Sequence, residues 1–250
     1  MFRCDIDPDA RLPVRSHSND VALYYQTFRA LHFAAFGRFE GIVFRGFAAF
    51  PAERLCLSAG KVTLLWRLRL MFRISKDSPV HYITSVTHNR LPVFKTTKLK
   101  EVMCDALKEA RTSWDLLIFA YVIMPDHLHA LIGSHLKPSK VLRYVNGISG
   151  HRIIEHLKES GSEASLAKLQ QETRPREYKY SLWDHHPNLK LITTENGLME
   201  KANYIHLNPV RAGLVERAED YRFSSVRCWQ RKPLEDEPLL MDLDKVAWHK

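Results

Sequence analysis

Residues 116–134, Leu-Leu-Ile-Phe-Ala-Tyr-Val-Ile-Met-Pro-Asp-His-Leu-His-Ala-Leu-Ile-Gly-Ser, decide how the chain folds. Leu116 to Met124 is an unbroken apolar run rich in β-branched and aromatic residues, the pattern of a strand buried on both faces. It is far too short to cross a bilayer as a helix, which takes about 20 residues. Met124-Pro125-Asp126-His127 then has the chemistry of a tight turn, with proline pre-set for its second position. The chain returns as a second strand, His127 to Ile132. Side chains alternate along a strand, so His127 and His129 point one way and Leu128 the other. Two neighbouring imidazoles on a buried hairpin make half of a metal site. The same spacing also suits hydrogen-bonded core histidines or an incidental exposed pair. Even as a metal site, His-x-His alone does not separate a zinc hydrolase from a magnesium-dependent nuclease.

Around this hairpin the composition is that of an ordinary globular protein of 250 residues, long enough for one well-cored domain and extra material. A formal charge of +9 and a pI near 9.4 favour an acidic partner, with nucleic acid foremost. A membrane surface is the weaker alternative, because no basic amphipathic helix stands out, and no membrane partner is expected. Cys4, Cys56, Cys104 and Cys228 are scattered singly, which gives neither a metal knuckle nor a disulfide framework and suits a reducing cytoplasm. The start of the chain leads into no apolar segment of the secretory kind.

Residues 1–70 differ from the rest. They carry nine Arg and one Lys, against twelve Arg and fifteen Lys in residues 71–250, and their Phe, Ala and Gly clusters follow no clean period. They read as an N-terminal extension with little fold of its own, the alternative being a small accessory domain or membrane-touching arm, with the working domain over 71–230 and a C-terminal tail over 231–250. From Met71 the pattern is regular. Val80 to Thr87 alternates as a strand. Thr97 is placed to cap a helix whose apolar positions are Leu99, Val102, Met103, Ala106, Leu107 and Ala110. After the hairpin, Pro138-Ser139 starts a helix through Leu157 that displays Lys140, Arg143 and Arg152. Residues 159–177 are polar and loop-like or partly helical. Strand-like pieces follow at Tyr178–Trp183 and Leu189–Ile192, on either side of His185 and His186. Adjacent residues of a strand face opposite ways, so those two histidines read as loop residues. Thr193 and Thr194 then cap a helix from Glu195 to about Leu207. The order β-α-β-β-α-β plus one helix predicts an α+β, ferredoxin-like antiparallel sheet with its first and third strands central.

That last helix supplies what the histidine pair lacks. Leu198, Ala202 and Ile205 form its packing stripe, while Tyr204 and Asn208, four apart, share another face with Lys201 one turn earlier. Because Pro209 disfavours α conformation at the residue before it, Asn208 is expected at the end of this helix or as the cap of the next one. A divalent cation held by two imidazoles and an amide oxygen can polarise a phosphodiester, and a phenol can then attack it. The commoner fates of such residues are a packed aromatic and a cap. A charged helix face is usually just solvated. With that reserve Lys140, Arg143, Arg152, Lys201 and Arg211 are the candidate DNA contacts.

The run Tyr121-Val122-Ile123-Met124-Pro125-Asp126-His127-Leu128-His129, followed by Tyr204-Ile205-His206-Leu207-Asn208-Pro209-Val210-Arg211-Ala212-Gly213-Leu214-Val215, closely resembles the single-tyrosine HUH transposases, in particular the REP-associated tyrosine transposases. The similarity extends from about Met71 to Trp229. It takes in His88-Asn89-Arg90 and Tyr221-Arg222-Phe223-Ser224-Ser225. The resemblance implies a ferredoxin-like fold and an enzyme that uses Mg or Mn to cut and rejoin single-stranded DNA beside imperfect, REP-like hairpins, leaving a 5′-phosphotyrosine. It implies His127 and His129 as metal ligands, Tyr204 as nucleophile and Asn208 as the third ligand. Residue 126 is commonly Asn in the family and is Asp here. Residues 1–70 match nothing in it. Related enzymes occur as monomers and dimers, and a cytoplasmic location is expected. Two alternatives stay open: a domesticated hairpin-DNA binder with idle chemistry, and a zinc hydrolase, which lacks the His-Glu-x-x-His form.

Overall fold

A computed structural model describes residues 71–170, 179–184 and 187–248. The readings placed on residues 1–70 and on His185 and His186 lie outside the described residues. Four strands, β1 (Val80–Val86), β2 (Leu117–Ile123), β3 (His127–Gly133) and β4 (Asn188–Ile192), form one antiparallel sheet in the order β2-β3-β1-β4. Helix α1 (Thr97–Trp114) joins β1 to β2, and α2 (Pro138–Glu159) leads from β3 towards β4 through the short α3 (Glu163–Lys168). This is the expected βαββαβ arrangement with β1 and β3 at the centre. Thr96, one residue before the expected cap, accepts the Leu99 N–H and starts α1. Pro138 opens α2 at its first turn, where a missing N–H costs nothing.

The pairing register sets the two faces. Thr84 lies opposite His129 and Val86 opposite His127, so Tyr82, Thr84, His127 and His129 share one face. The other face carries Ile83, Ser85, Leu128 and Ala130. It meets α1 and α2, where the Ser85 hydroxyl donates to Asn146 Oδ1 at 2.7 Å and the Cys104 thiol reaches Tyr121 Oη.

Helix α4 (Glu195–Arg211) lies on the histidine face, capped by the Thr194 hydroxyl accepting Gly197 N–H at 3.1 Å. It runs past the end expected from Pro209. Leu198, Ala202, Ile205 and Pro209 are all buried, so the proline extends the packing stripe by one more turn and burial overrides its local preference. Backbone bonding resumes beyond it, with Ala212 N–H donating to Asn208 O and Leu214 N–H to Pro209 O. The piece expected as a strand near Trp183 is not one. Among the described residues it makes only isolated bridges, Gln170 with Tyr180 and Thr87 with Trp183, because its backbone bonds go to different neighbours in turn.

The outer edge of β2 is covered by the C-terminal chain. Phe223 O and the Ser225 backbone pair with Ile123 and Tyr121, the Trp229 indole of α5 (Val226–Trp229) donates to Phe119 O, and Asp242 exchanges two bonds with Ile118. Val246 bridges to Phe72, and Leu239 and Val246 are fully buried. The stretch set apart as a tail is thus tied into the fold. Inside this cover Arg227 and Glu237 form a two-pronged ion pair at 2.8 and 2.9 Å, with the Glu237 side chain 1% exposed. Removing one partner of such a buried pair strands the other, so Glu237→Ala is expected to cost about 3–5 kcal/mol in chemical denaturation. A loss under about 1 kcal/mol would count against the cover's structural role.

His206 joins α4 to this cover, with Nε2 2.9 Å from the Ser225 hydroxyl. Complete burial pushes its pKa down to about 3. The unfolded chain takes up that proton near its ordinary value of about 6.5, while the folded chain does not. Stability from this residue is therefore full above that range and falls as pH drops towards 4. Denaturation profiles of His206→Gln should show about one proton less taken up on unfolding at pH 5; an unchanged pH slope would refute this.

Candidate functional site

A cleft of about 520 Å³ opens between the histidine face of the sheet and α4. Strand alternation delivers Tyr82 and Thr84 from β1 and His127 and His129 from β3. Helix periodicity delivers Lys201, Tyr204 and Asn208 from successive turns of α4. The two imidazole rings are 4.8 Å apart, edge to face, and the Tyr204 ring stands edge-on to His129 at 5.6 Å. Tyr204 is 38% exposed, so its ring packs on His129 and Tyr82 while remaining open to solvent. The Arg211 guanidinium covers the ring at 5.2 Å. Asn208 donates its amide N–H to Tyr204 O at 2.8 Å, which leaves Oδ1 as the acceptor end of the side chain.

Each imidazole has its Nδ1 engaged. His127 Nδ1 is 2.6 Å from Asp126 Oδ1, and His129 Nδ1 is 2.8 Å from Thr84 Oγ1 and 3.2 Å from Tyr82 Oη. Nε2 of each ring has no hydrogen-bond partner among the described residues. Burial first, and then the neighbouring His127, push the His129 pKa down to about 3 against the opposing pull of Asp126. His129 is thus a neutral imidazole at physiological pH. Burial alone would raise the Asp126 carboxyl; hydrogen bonds from His127 and Arg90 outweigh it and hold the group below its ordinary value. Among the described residues no group of three His, Cys, Asp or Glu side chains could hold a metal. The donor set is two imidazoles and an amide, and this chemistry fits a divalent cation whose remaining positions are filled by oxygen ligands.

Of the residues expected from sequence, His127, His129, Tyr204, Asn208 and Lys201 meet in this cleft, with Arg211 at its rim. Lys140, Arg143 and Arg152 do not: α2 lies on the opposite face of the sheet. Arg152 is further committed to Glu109 at 2.7 and 3.0 Å and to Glu155 at 2.9 Å. Lys201 is paired with Glu200. Sequence reasoning missed Tyr82, Thr84, Arg90, Asn188 and Lys190. Tyr82 and Thr84 alternate in β1 and could have been placed once that strand was set beside β3. Asn188 and Lys190 alternate likewise on β4, but nothing local fixed that strand's register.

Residues 76–172 match the family model described as "Transposase IS200 like". The match takes in the histidine pair and ends before α4. Among solved structures, a REP-associated tyrosine transposase bound to a REP hairpin is 15% identical, with a TM-score of 0.45, over 70% of this chain and 94% of that one. A candidate transposase from Deinococcus radiodurans is 18% identical, with a TM-score of 0.37, over 51% and 88%. No curated protein matches the chain.

Proposed function

We propose that the chain is a metal-dependent single-stranded DNA endonuclease and strand transferase that acts beside hairpins through Tyr204. The observation that carries this reading is the meeting, in one cleft, of two imidazoles with free Nε2 atoms, an amide oxygen and an exposed tyrosine. His127, His129 and Asn208 would hold Mg or Mn. Such a cation, when bound, supplies positive charge to the oxygens of the scissile phosphate.

The chain's own residues account for the rest. Tyr204 attacks phosphorus; the tyrosyl O–P bond forms as the P–O3′ bond breaks, giving a 5′-phosphotyrosine and a free 3′-hydroxyl. The phenol gives up its proton and the departing 3′ oxygen gains one, with solvent exchanging both. Rejoining runs the same steps in reverse, which conserves the bond energy and needs no nucleotide cofactor. Arg211 over the ring holds the phenol's orientation, and Lys190 supplies cleft charge for flanking phosphates. A zinc hydrolase is disfavoured because it leaves Tyr204 unexplained and finds no acidic third ligand.

Incubation of a hairpin-bearing oligonucleotide with the chain and Mg or Mn should yield a covalent adduct on a denaturing gel. Tyr204→Phe should abolish the adduct and leave binding intact; an undiminished adduct in that variant rules the assignment out. Lys190 forms no ion pair among the described residues, whereas Arg152 is engaged by two carboxylates. Lys190→Ala should therefore lower the salt slope of DNA binding by about 1, and Arg152→Ala should leave it unchanged. The reverse pattern would move the DNA path to the other face of the sheet.

A further inference from the structure

Three groups run in a line from solvent into the cleft. Arg90 Nη1 is 2.9 Å from Asp126 Oδ2, and the other oxygen of that carboxylate is 2.6 Å from His127 Nδ1. An ionised carboxylate can only accept, so the short contact calls for a proton on His127 Nδ1. In a neutral ring the lone pair then sits on Nε2. His129 is held differently, by the neutral hydroxyls of Thr84 and Tyr82.

The loop that presents Arg90 is strained. Asn89 and Arg90 both lie in the left-handed region, at φ of 51° and 52°, and neither is glycine. Consecutive residues of this kind persist only where their surroundings over-determine them, and such strain gathers at functional sites. Here the restraint is visible. Thr87 N–H donates to Asp126 O at 2.9 Å, and the Thr87 hydroxyl lies 2.7 Å from Leu91 O and 2.9 Å from Asp126 O. One threonine thus ties the loop after β1 to the hairpin turn and brings Arg90 to Asp126.

We propose that Asp126 is a positioning residue, backed by Arg90, that fixes the tautomer and ring orientation of His127 so that Nε2 presents its lone pair to the cleft. The proposal rests on the reading of His127 as a metal ligand. A carboxylate behind a ligating imidazole also makes it a stronger donor, and losing such a partner typically weakens metal binding 10–100-fold. Arg90 acts through Asp126.

The test uses the full chain with 15N-labelled histidine, first without metal and then titrated with Mn²⁺ by electron paramagnetic resonance. The wild type should give the nitrogen shifts of an Nδ1–H tautomer at His127. Asp126→Ala should give a tautomer mixture and roughly 10–100-fold weaker Mn²⁺ binding, with unchanged affinity for hairpin DNA in the absence of metal. Asp126→Asn keeps the shape and an acceptor, and should shift Mn²⁺ affinity the same way by less; it carries the test if the alanine variant does not fold. Arg90→Ala should weaken Mn²⁺ binding in the wild-type background and add nothing in Asp126→Ala. Unchanged nitrogen shifts and Mn²⁺ affinity in both Asp126 variants would overturn the positioning role. A wild-type chain that binds no Mn²⁺ would instead overturn the functional reading beneath it.

Discussion

The antiparallel pairing of β1 with β3 in a single register is the constraint on which the site depends. Thr84 must stand opposite His129 for the hydroxyl to hold Nδ1, and Val86 opposite His127 for the hairpin turn to meet the loop after β1. Strand side chains alternate with a period of two, so a slip of one residue would send both histidines into the core under α1 and α2 and bring Leu128 into the cleft. The apolar pattern guards against this, because Leu128 and Ala130 are fully buried on the helix-covered face.

The second requirement is a fixed seat for α4. Ile205 and Ala202 are fully buried against the sheet, and His206 reaches Ser225 in the chain that covers the β2 edge. The same Ser225 hydroxyl accepts the Tyr121 N–H of β2. Helix, edge cover and strand therefore share one buried polar junction close in sequence to Tyr204. The covering segment does two jobs at once: it removes an exposed sheet edge and anchors the helix that presents the phenol.

Much of this was legible in the sequence because it follows from short-range periodicity. The hairpin, the split of His127 and His129 from Leu128, and the stripe of Leu198, Ala202 and Ile205 are all local patterns. What escaped depended on long-range placement. Pro209 looked like a helix end because its neighbour's local preference says so, and only the buried stripe shows why α4 continues to Arg211. Arg152 looked like a free cation until the packing of α2 on α1 brought Glu109 beside it. Lys190 and Asn188 could not be assigned before β4 was paired to β1. Asp126 was noticed as a residue type, but its link to Arg90 needs the left-handed loop that no single-residue propensity predicts.

The central claim is that His127, His129 and Asn208 form one cation seat beside Tyr204. Crystals of the full chain soaked in manganese, with diffraction recorded near the manganese absorption edge, address it most directly. The account predicts one strong anomalous peak within bonding distance of Nε2 of both histidines and of Asn208 Oδ1, on the side of the cleft that Tyr204 faces. A manganese peak bound elsewhere, with both Nε2 atoms turned from the cleft, would contradict it.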